Sequence, residues 1–156
     1  MHDKFFEKAR TNMVKNQVLP NNVKDKSLID AILNTKKELF VPKNFHDLTY
    51  SDSDIKIIEK RFLIRTFILA KMLDKYSFSK NDTILVIGCL TGYTLAIVSF
   101  LVGYVFGIDN DKKIIEEANK NINQLNILNC SVFFKKDLSS GFSKNAPYDK
   151  IFIEGS

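Results

Sequence analysis

Apolar residues follow two rhythms along this chain, and the rhythm changes near residue 80. Before it, Phe5, Phe6, Ala9, Met13 and Val14 recur at helical spacing until Pro20 interrupts the pattern. A second amphipathic run, residues 27–40, has Ser27 as its expected N-cap and Leu28, Ile29, Ile32 and Leu33 as its apolar stripe, with Val41-Pro42 ending it. Residues 44–60 mix turn formers with a short alternating run and read as a loop or minor strand. Residues 61–76 form a third expected helix. There Phe62, Ile64, Phe67, Ile68, Leu69, Met72 and Leu73 cover more than one face, which predicts extensive burial.

Beyond Lys80-Asn81-Asp82 the apolar runs shorten to strand length. Thr83 to Asp109 reads as strand, glycine turn, apolar helix, second strand and terminal carboxylate, with Ile84–Ile87 as the central strand. Ile114, Ile115, Ala118, Ile122 and Leu125 then mark one face of an amphipathic helix. Residues 130–136 form a further strand, Asp137 opens a loop through Gly141 and Pro147, and residues 149–153 form the last strand. This alternation predicts a right-handed, mostly parallel α/β sheet in one domain over residues 1–156, with a helical N-terminal region (1–80) and the first half of a Rossmann-like sheet (81–156). The last strand's consecutive apolar residues suit burial on both faces, yet only three residues follow Ile153. The expectation is a fragment or truncated chain with C-terminal strands missing, or a partner covering the final strand edge.

A chain of 156 residues, 45% hydrophobic and 26% charged, suits one globular domain and argues against disorder. Its net charge of +5 comes from twenty Lys and three Arg, mostly single or beside acids, which favours a solvated surface over a nucleic-acid partner. Cys89 and Cys130 are far apart, and His2 and His46 lack ligand-spaced companions, so free thiols, a reducing cytoplasmic setting and no metal are expected. No charge lies between Asp82 and Asp109, a run long enough for a membrane helix. Gly88, Thr91, Gly92, Gly103 and Gly107 divide that run, and acids flank it, so no membrane span is expected.

Ligands of open α/β sheets bind beyond the carboxyl ends of the strands. Gly88 and Gly92 flank a turn at such a position, where glycine lets backbone approach a ligand and a helix start offers amide donors. Asp109 is placed to accept from a ribose diol or, alternatively, to cap the next helix. The dinucleotide pattern G-x-G-x-x-G started at Gly88 fails at Leu90 and Tyr93, and no Gly-Lys-Ser/Thr follows for a phosphate loop. A G-x-x-x-G turn followed by Tyr93, with acids after the second and third strands, is closer to S-adenosylmethionine-dependent methyltransferases, whose cofactor has no phosphates.

Several separated blocks carry a more specific resemblance. Ala9-Arg10, Met13-Val14, Gln17, Leu28 to Ile32, Glu38 to Pro42, Tyr50-Ser51-Asp52, Ile84 to Tyr93, Gly107-Ile108-Asp109, Asp137 and Asn145 to Ile151 together resemble the protein-L-isoaspartate O-methyltransferase family over nearly the whole chain. The resemblance implies a Rossmann-like fold and S-adenosylmethionine bound by Gly88, Cys89, Gly92, Asp109, Asn110, Asp137 and Leu138. It implies methyl transfer to the carboxylate of isoaspartyl residues in damaged proteins or peptides.

This chain departs from the family pattern at three positions. The family's active-site serine falls at Ile64, leaving Thr66 as a displaced hydroxyl. The middle glycine of the turn is Leu90, and the acid two residues before Gly88 is Val86. The alternative is therefore a catalytically inactive relative that keeps the fold to bind cofactor or partner. Plainer roles are also on the page: Asp137 capping its loop, Cys89 as a small turn residue, Tyr93 and the phenylalanines as core, and Arg65 in a surface salt bridge.

Overall fold

A computed structural model describes residues 2–154, and the chain divides into two compact units, 1–77 and 78–156. The first unit opens with α1 (His2–Met13), which runs on through a wider turn at Val14–Val18 and a tight one at Leu19–Asn21. Helix α2 (Lys26–Asn34) follows, then short 3₁₀ turns at Lys37–Phe40 and Lys43–Leu48. A small antiparallel pair, β1 (Ile55–Ile58) and β2 (Arg61–Leu63), precedes α3 (Thr66–Leu73).

Four expectations change here. The cap of α2 is Asp25, whose carboxylate accepts from the Leu28 amide at 3.1 Å, while Ser27 lies inside the helix and exposed. The amphipathic run breaks at Thr35, so residues 37–40 form a separate turn. The third helix starts at Thr66, because residues 61–63 pair with β1. Helix α3 is buried on the Thr66, Leu69, Ala70 and Leu73 side only, and Ile68 and Met72 are exposed.

The core of the first unit holds ions. Tyr50 donates to Glu38 Oε2, Arg10 donates to the Tyr50 hydroxyl at 3.2 Å, and Arg10 and Glu38 pair at 3.6 Å. Lys37 is fully buried and its ammonium donates to Thr66 Oγ1 at 3.0 Å. Burial pushes the Lys37 amine down to about 8, against an opposing pull from Asp54.

The second unit is a four-stranded parallel sheet in the order β5-β4-β3-β6. Its strands are β3 (Thr83–Ile87), β4 (Tyr104–Asp109), β5 (Cys130–Phe134) and β6 (Lys150–Ile153). Helix α4 (Tyr93–Ser99) links β3 to β4, and α5 (Lys112–Gln124) links β4 to β5. The long uncharged run is thus two strands and a seven-residue helix. Among the described residues no helix is long and apolar enough to cross a membrane.

Alternation fixes the two sheet faces. Leu85, Phe106 and Ile108 form a cluster on one, joined by Ile87, Phe133, Leu138, Phe142 and Tyr148. On the other, Leu95 of α4 sits over Gly107 so closely that an added Cβ would lie 2.6 Å from Leu95 Cδ1. The amino ends of β3 and β6 are tied by charge: Lys150 meets Asp82 at 2.6 Å, and Asp149 accepts from the Thr83 amide at 2.7 Å. The Lys150 hydrogen bond, ahead of one from the Ser79 amide, holds the Asp82 carboxyl below its usual range.

Strand β6 is not buried on both faces. Phe152 is covered, whereas Ile151 and Ile153 are 50% and 66% exposed beside a cleft of about 370 Å³ lined also by Leu85, Ile87, Phe142 and Tyr148. Nor are all the phenylalanines core, since Phe5, Phe62, Phe100 and Phe134 are exposed; Tyr93 is buried.

Candidate cofactor site

The turn after β3 is held from below by the neighbouring strand. The Gly88 and Cys89 amides both donate to the Ile108 carbonyl, at 2.8 and 3.2 Å, and the Leu90 amide donates to Asp109 Oδ2 at 3.0 Å. Three of its residues have positive φ: Gly88 (76°), Leu90 (49°) and Gly92 (95°). Leucine therefore occupies a left-handed conformation at the position where the family pattern has glycine, at a cost of about 1 kcal/mol. Leu90 itself is 2% exposed, so its side chain is packed inward. From α5, buried Asn121 donates to the Thr91 carbonyl at 3.1 Å and clips the far side of the turn.

Asp109 ends β4 fully buried. Besides the Leu90 amide it accepts from the Asp111 amide, through Oδ1 at 3.2 Å. It does not cap α5: that role belongs to Asp111, which accepts from Lys113 and Ile114. Asn110, the next residue, is exposed. Gly88, Cys89, Gly92, Asp109 and Asn110 are thus gathered at the carboxyl ends of β3 and β4.

Asp137 and Leu138 follow β5. Asp137 is exposed and accepts from the Ser139 hydroxyl at 2.6 Å and the Ser139 amide at 3.0 Å, and the hydroxyl bond, ahead of the amide, lowers its carboxyl below the usual range. It caps a short 3₁₀ turn, Leu138–Ser140, whose Leu138 packs on the sheet cluster. Cys89 and Cys130 are free thiols. Burial, then the Asp109 and Glu154 carboxylates, raises Cys89 well above its ordinary value, and burial pushes Cys130 up to about 12, so neither is a thiolate at neutral pH.

In the first unit, Ile64 lies half-buried between β2 and α3. Thr66 is buried with its hydroxyl taking the Lys37 proton donor. Arg65 pairs with Asp54 at 3.1 Å and Asp52 at 3.6 Å. Among the described residues no three His, Cys, Asp or Glu stand close enough to hold a metal ion.

A model of the protein-L-isoaspartate (D-aspartate) O-methyltransferase family matches residues 8–156. The chain belongs to that family. The isoaspartate methyltransferase of Geobacter metallireducens is 29% identical over 148 residues, which are 95% of this chain and 68% of that relative. The Dictyoglomus turgidum relative is 30% identical over 96% of this chain and 66% of its own length. A solved protein-L-isoaspartate O-methyltransferase structure superposes with a TM-score of 0.76 at 25% identity, covering 94% of this chain and 47% of that one. A Plasmodium falciparum structure described as a putative member in complex with S-adenosyl-L-homocysteine shares the fold, with a TM-score of 0.74 at 13% identity over 92% of this chain and 72% of that one. The chain spans about two thirds of the curated relatives it matches.

Two residues of the second unit escape a reading by apolar pattern. Asn121 sits on the apolar face of α5, three residues after Ala118, where a polar residue signals a buried hydrogen bond. Glu154 is buried at 7% exposure just beyond β6, the counterpart of Asp109 at the end of β4. An acid directly after an apolar strand was the available signal for both carboxylates.

Proposed function

We propose that this chain binds S-adenosylmethionine at the carboxyl ends of its parallel strands and methylates the side-chain carboxylate of isoaspartyl residues in damaged proteins. The family match over residues 8–156 carries this reading. Gly88, Cys89 and Gly92 would bring backbone against the cofactor, Asp109 and Asn110 would take the ribose hydroxyls, and Asp137 with Leu138 would bound the adenine. The residues fit such a group: no Lys, Arg or His lies between Thr83 and Ile108 to meet a phosphate, and carboxylates stand where hydroxyls would arrive. A carboxylate has about four acceptor positions, so the Asp109 side chain can serve the turn amides and a diol together.

The cofactor supplies a methyl group activated by attachment to a positively charged sulfur. The isoaspartyl carboxylate is already ionised at neutral pH, so no general base is needed and the protein's task is alignment and exclusion of water. The methyl ester so formed can close to a succinimide, the route by which the damaged site is repaired. Free Cys89 and Cys130 support a reducing, cytoplasmic setting.

Calorimetric titration with S-adenosylmethionine and S-adenosylhomocysteine tests the cofactor step. Heat with both is expected; no heat from folded protein, with an unchanged melting temperature, refutes it. Methyl transfer to an isoaspartyl peptide tests the reaction, and Ile64→Ser should raise turnover by restoring a hydroxyl between β2 and α3. Cofactor binding without transfer in either form identifies a non-catalytic relative.

A further inference from the structure

We infer that the groove between α1 and residues 46–51 of the first unit docks a short extended stretch of polypeptide, held by its backbone through the amides of Asn12, Asn16 and Gln17. The occupant rests on the reading above, in which the substrate is a protein; the groove adds a surface that holds it. This open groove of about 320 Å³ lies wholly within the first unit. One wall is a stripe of α1 and its continuation, Phe5, Ala9, Asn12 and Asn16, which fall on one helix face. The facing wall carries His46, Asp47 and Ser51. Asn16 and Gln17 belong to the wider turn at Val14–Val18, a helix form that is rare and recurs at functional sites.

The chemistry of these walls selects a peptide backbone. A carboxamide side chain offers donors and an acceptor, the same pairing that a peptide unit presents. Asn21, Asn34 and Asn119 satisfy theirs locally, donating to the carbonyl four residues back at 2.7, 2.8 and 3.0 Å. Asn12 and Asn16 are exposed and make no side-chain hydrogen bond among the described residues. Gln17 donates to the Tyr50 carbonyl at 3.0 Å, while its Oε1 is buried without a donor among the described residues, an acceptor that a ligand N–H would satisfy. Asn12 and Asn16 stand a turn apart, about 6 Å along the axis, close to the roughly 6.6 Å between alternate residues of an extended chain. A helical segment has its backbone groups already paired and offers these amides nothing. The Phe5 and Phe6 rings, 5.5 Å apart, give one end of the groove an apolar seat. Among the described lining residues Asp47 is the one carboxylate and none is Lys or Arg, so a basic side chain is favoured there over an acidic one.

The test is fluorescence anisotropy on the whole protein, without cofactor, using a short labelled peptide that alternates Lys and Val and contains no isoaspartyl residue. Two counterparts accompany it, one with Glu for Lys and one with its backbone nitrogens methylated. The wild type should bind the first at least about fivefold tighter than either counterpart. Asn12→Ala combined with Asn16→Ala should weaken the first about tenfold. Alanine is the better helix former, so α1 is kept, and an unchanged melting temperature verifies it. If the double variant does not fold, the two substitutions are read singly, each at about threefold. Asp47→Asn should bring the Lys and Glu peptides within about twofold of each other. No binding by the wild type overturns the proposal, as does binding that either backbone methylation or loss of the two asparagine amides leaves unchanged. A preference for Lys that survives Asp47→Asn overturns the charge assignment. With neither cofactor nor isoaspartate present, failure of methyl transfer is a separate result that refutes the enzymatic reading. Absence of peptide binding in protein that still methylates an isoaspartyl peptide overturns the docking groove alone.

Discussion

The two units bury charge in opposite ways. In residues 1–77 the buried ions, Arg10, Lys37 and Glu38, sit inside the core among short 3₁₀ turns. In residues 78–156 the buried ions are Asp82, before β3, and Asp109 and Glu154, at the other ends of β4 and β6; apart from Lys150 at the start of β6, the strands between them are uncharged. The difference follows from the backbone. Parallel strands satisfy one another's amides and carbonyls, so side-chain ions are not needed within the sheet and are left to its ends, where ligands arrive. Irregular turns have no such ladder, and in the first unit side-chain bonds such as Tyr50 to Glu38 and Gln17 to the Tyr50 carbonyl hold them together.

Breaking the first unit's network should produce the largest effect. Glu38→Ala strands the nearly buried Arg10 guanidinium and the Tyr50 hydroxyl, and urea denaturation should show a loss of roughly 3–5 kcal/mol. The contrast can be sharpened next by pH. The folded Lys37 amine titrates near 8 and the ordinary value is 10.5, so between these the unfolded chain holds a proton that the folded chain has released. Stability should therefore rise with pH across that window, by on the order of 3 kcal/mol, and the rise should disappear in Lys37→Met. A pH-independent difference between the two proteins would sink this assignment.

In the second unit the vulnerable element is close packing without charge. Gly107→Ala places a methyl 2.6 Å from Leu95 Cδ1 and 3.0 Å from Cys89 Sγ, and thermal or chemical unfolding should register a loss of roughly 1–3 kcal/mol. The smallest effect belongs to the solvated pairs. Arg65→Ala removes ion pairs to Asp52 and Asp54 at the surface, and its denaturation midpoint should match the wild type.

Most of the second unit was legible because its elements announce themselves by period. Strands β3 to β6 and helix α5 lie where the alternating and helical runs put them, and the glycine turn and Asp109 meet at adjacent strand ends as parallel pairing requires. The misreadings have local causes. Arg61 to Leu63 look helical because apolar residues continue directly into α3, yet pairing with Ile55 to Ile58 overrides that pattern. Ser27 has the right side chain for a cap, but Asp25 stands two residues earlier and takes the bond first. The inward turn of Leu90 at positive φ has no signature in a leucine, and the buried ions of the first unit have none in charge spacing, since Lys37 and Thr66 are 29 residues apart.

The tie between Asp82 and Lys150 spans 68 positions of sequence, whereas β3 reaches β4 across about twenty. Closing the longer loop costs about 1 kcal/mol more chain entropy than the shorter one. The two edges of the central strand therefore differ in closure cost, the β6 side being the costlier in chain entropy. The Lys150–Asp82 ion pair and the Thr83 amide to Asp149 hydrogen bond sit at the amino ends of β3 and β6, where they hold the two ends of this longer connection together.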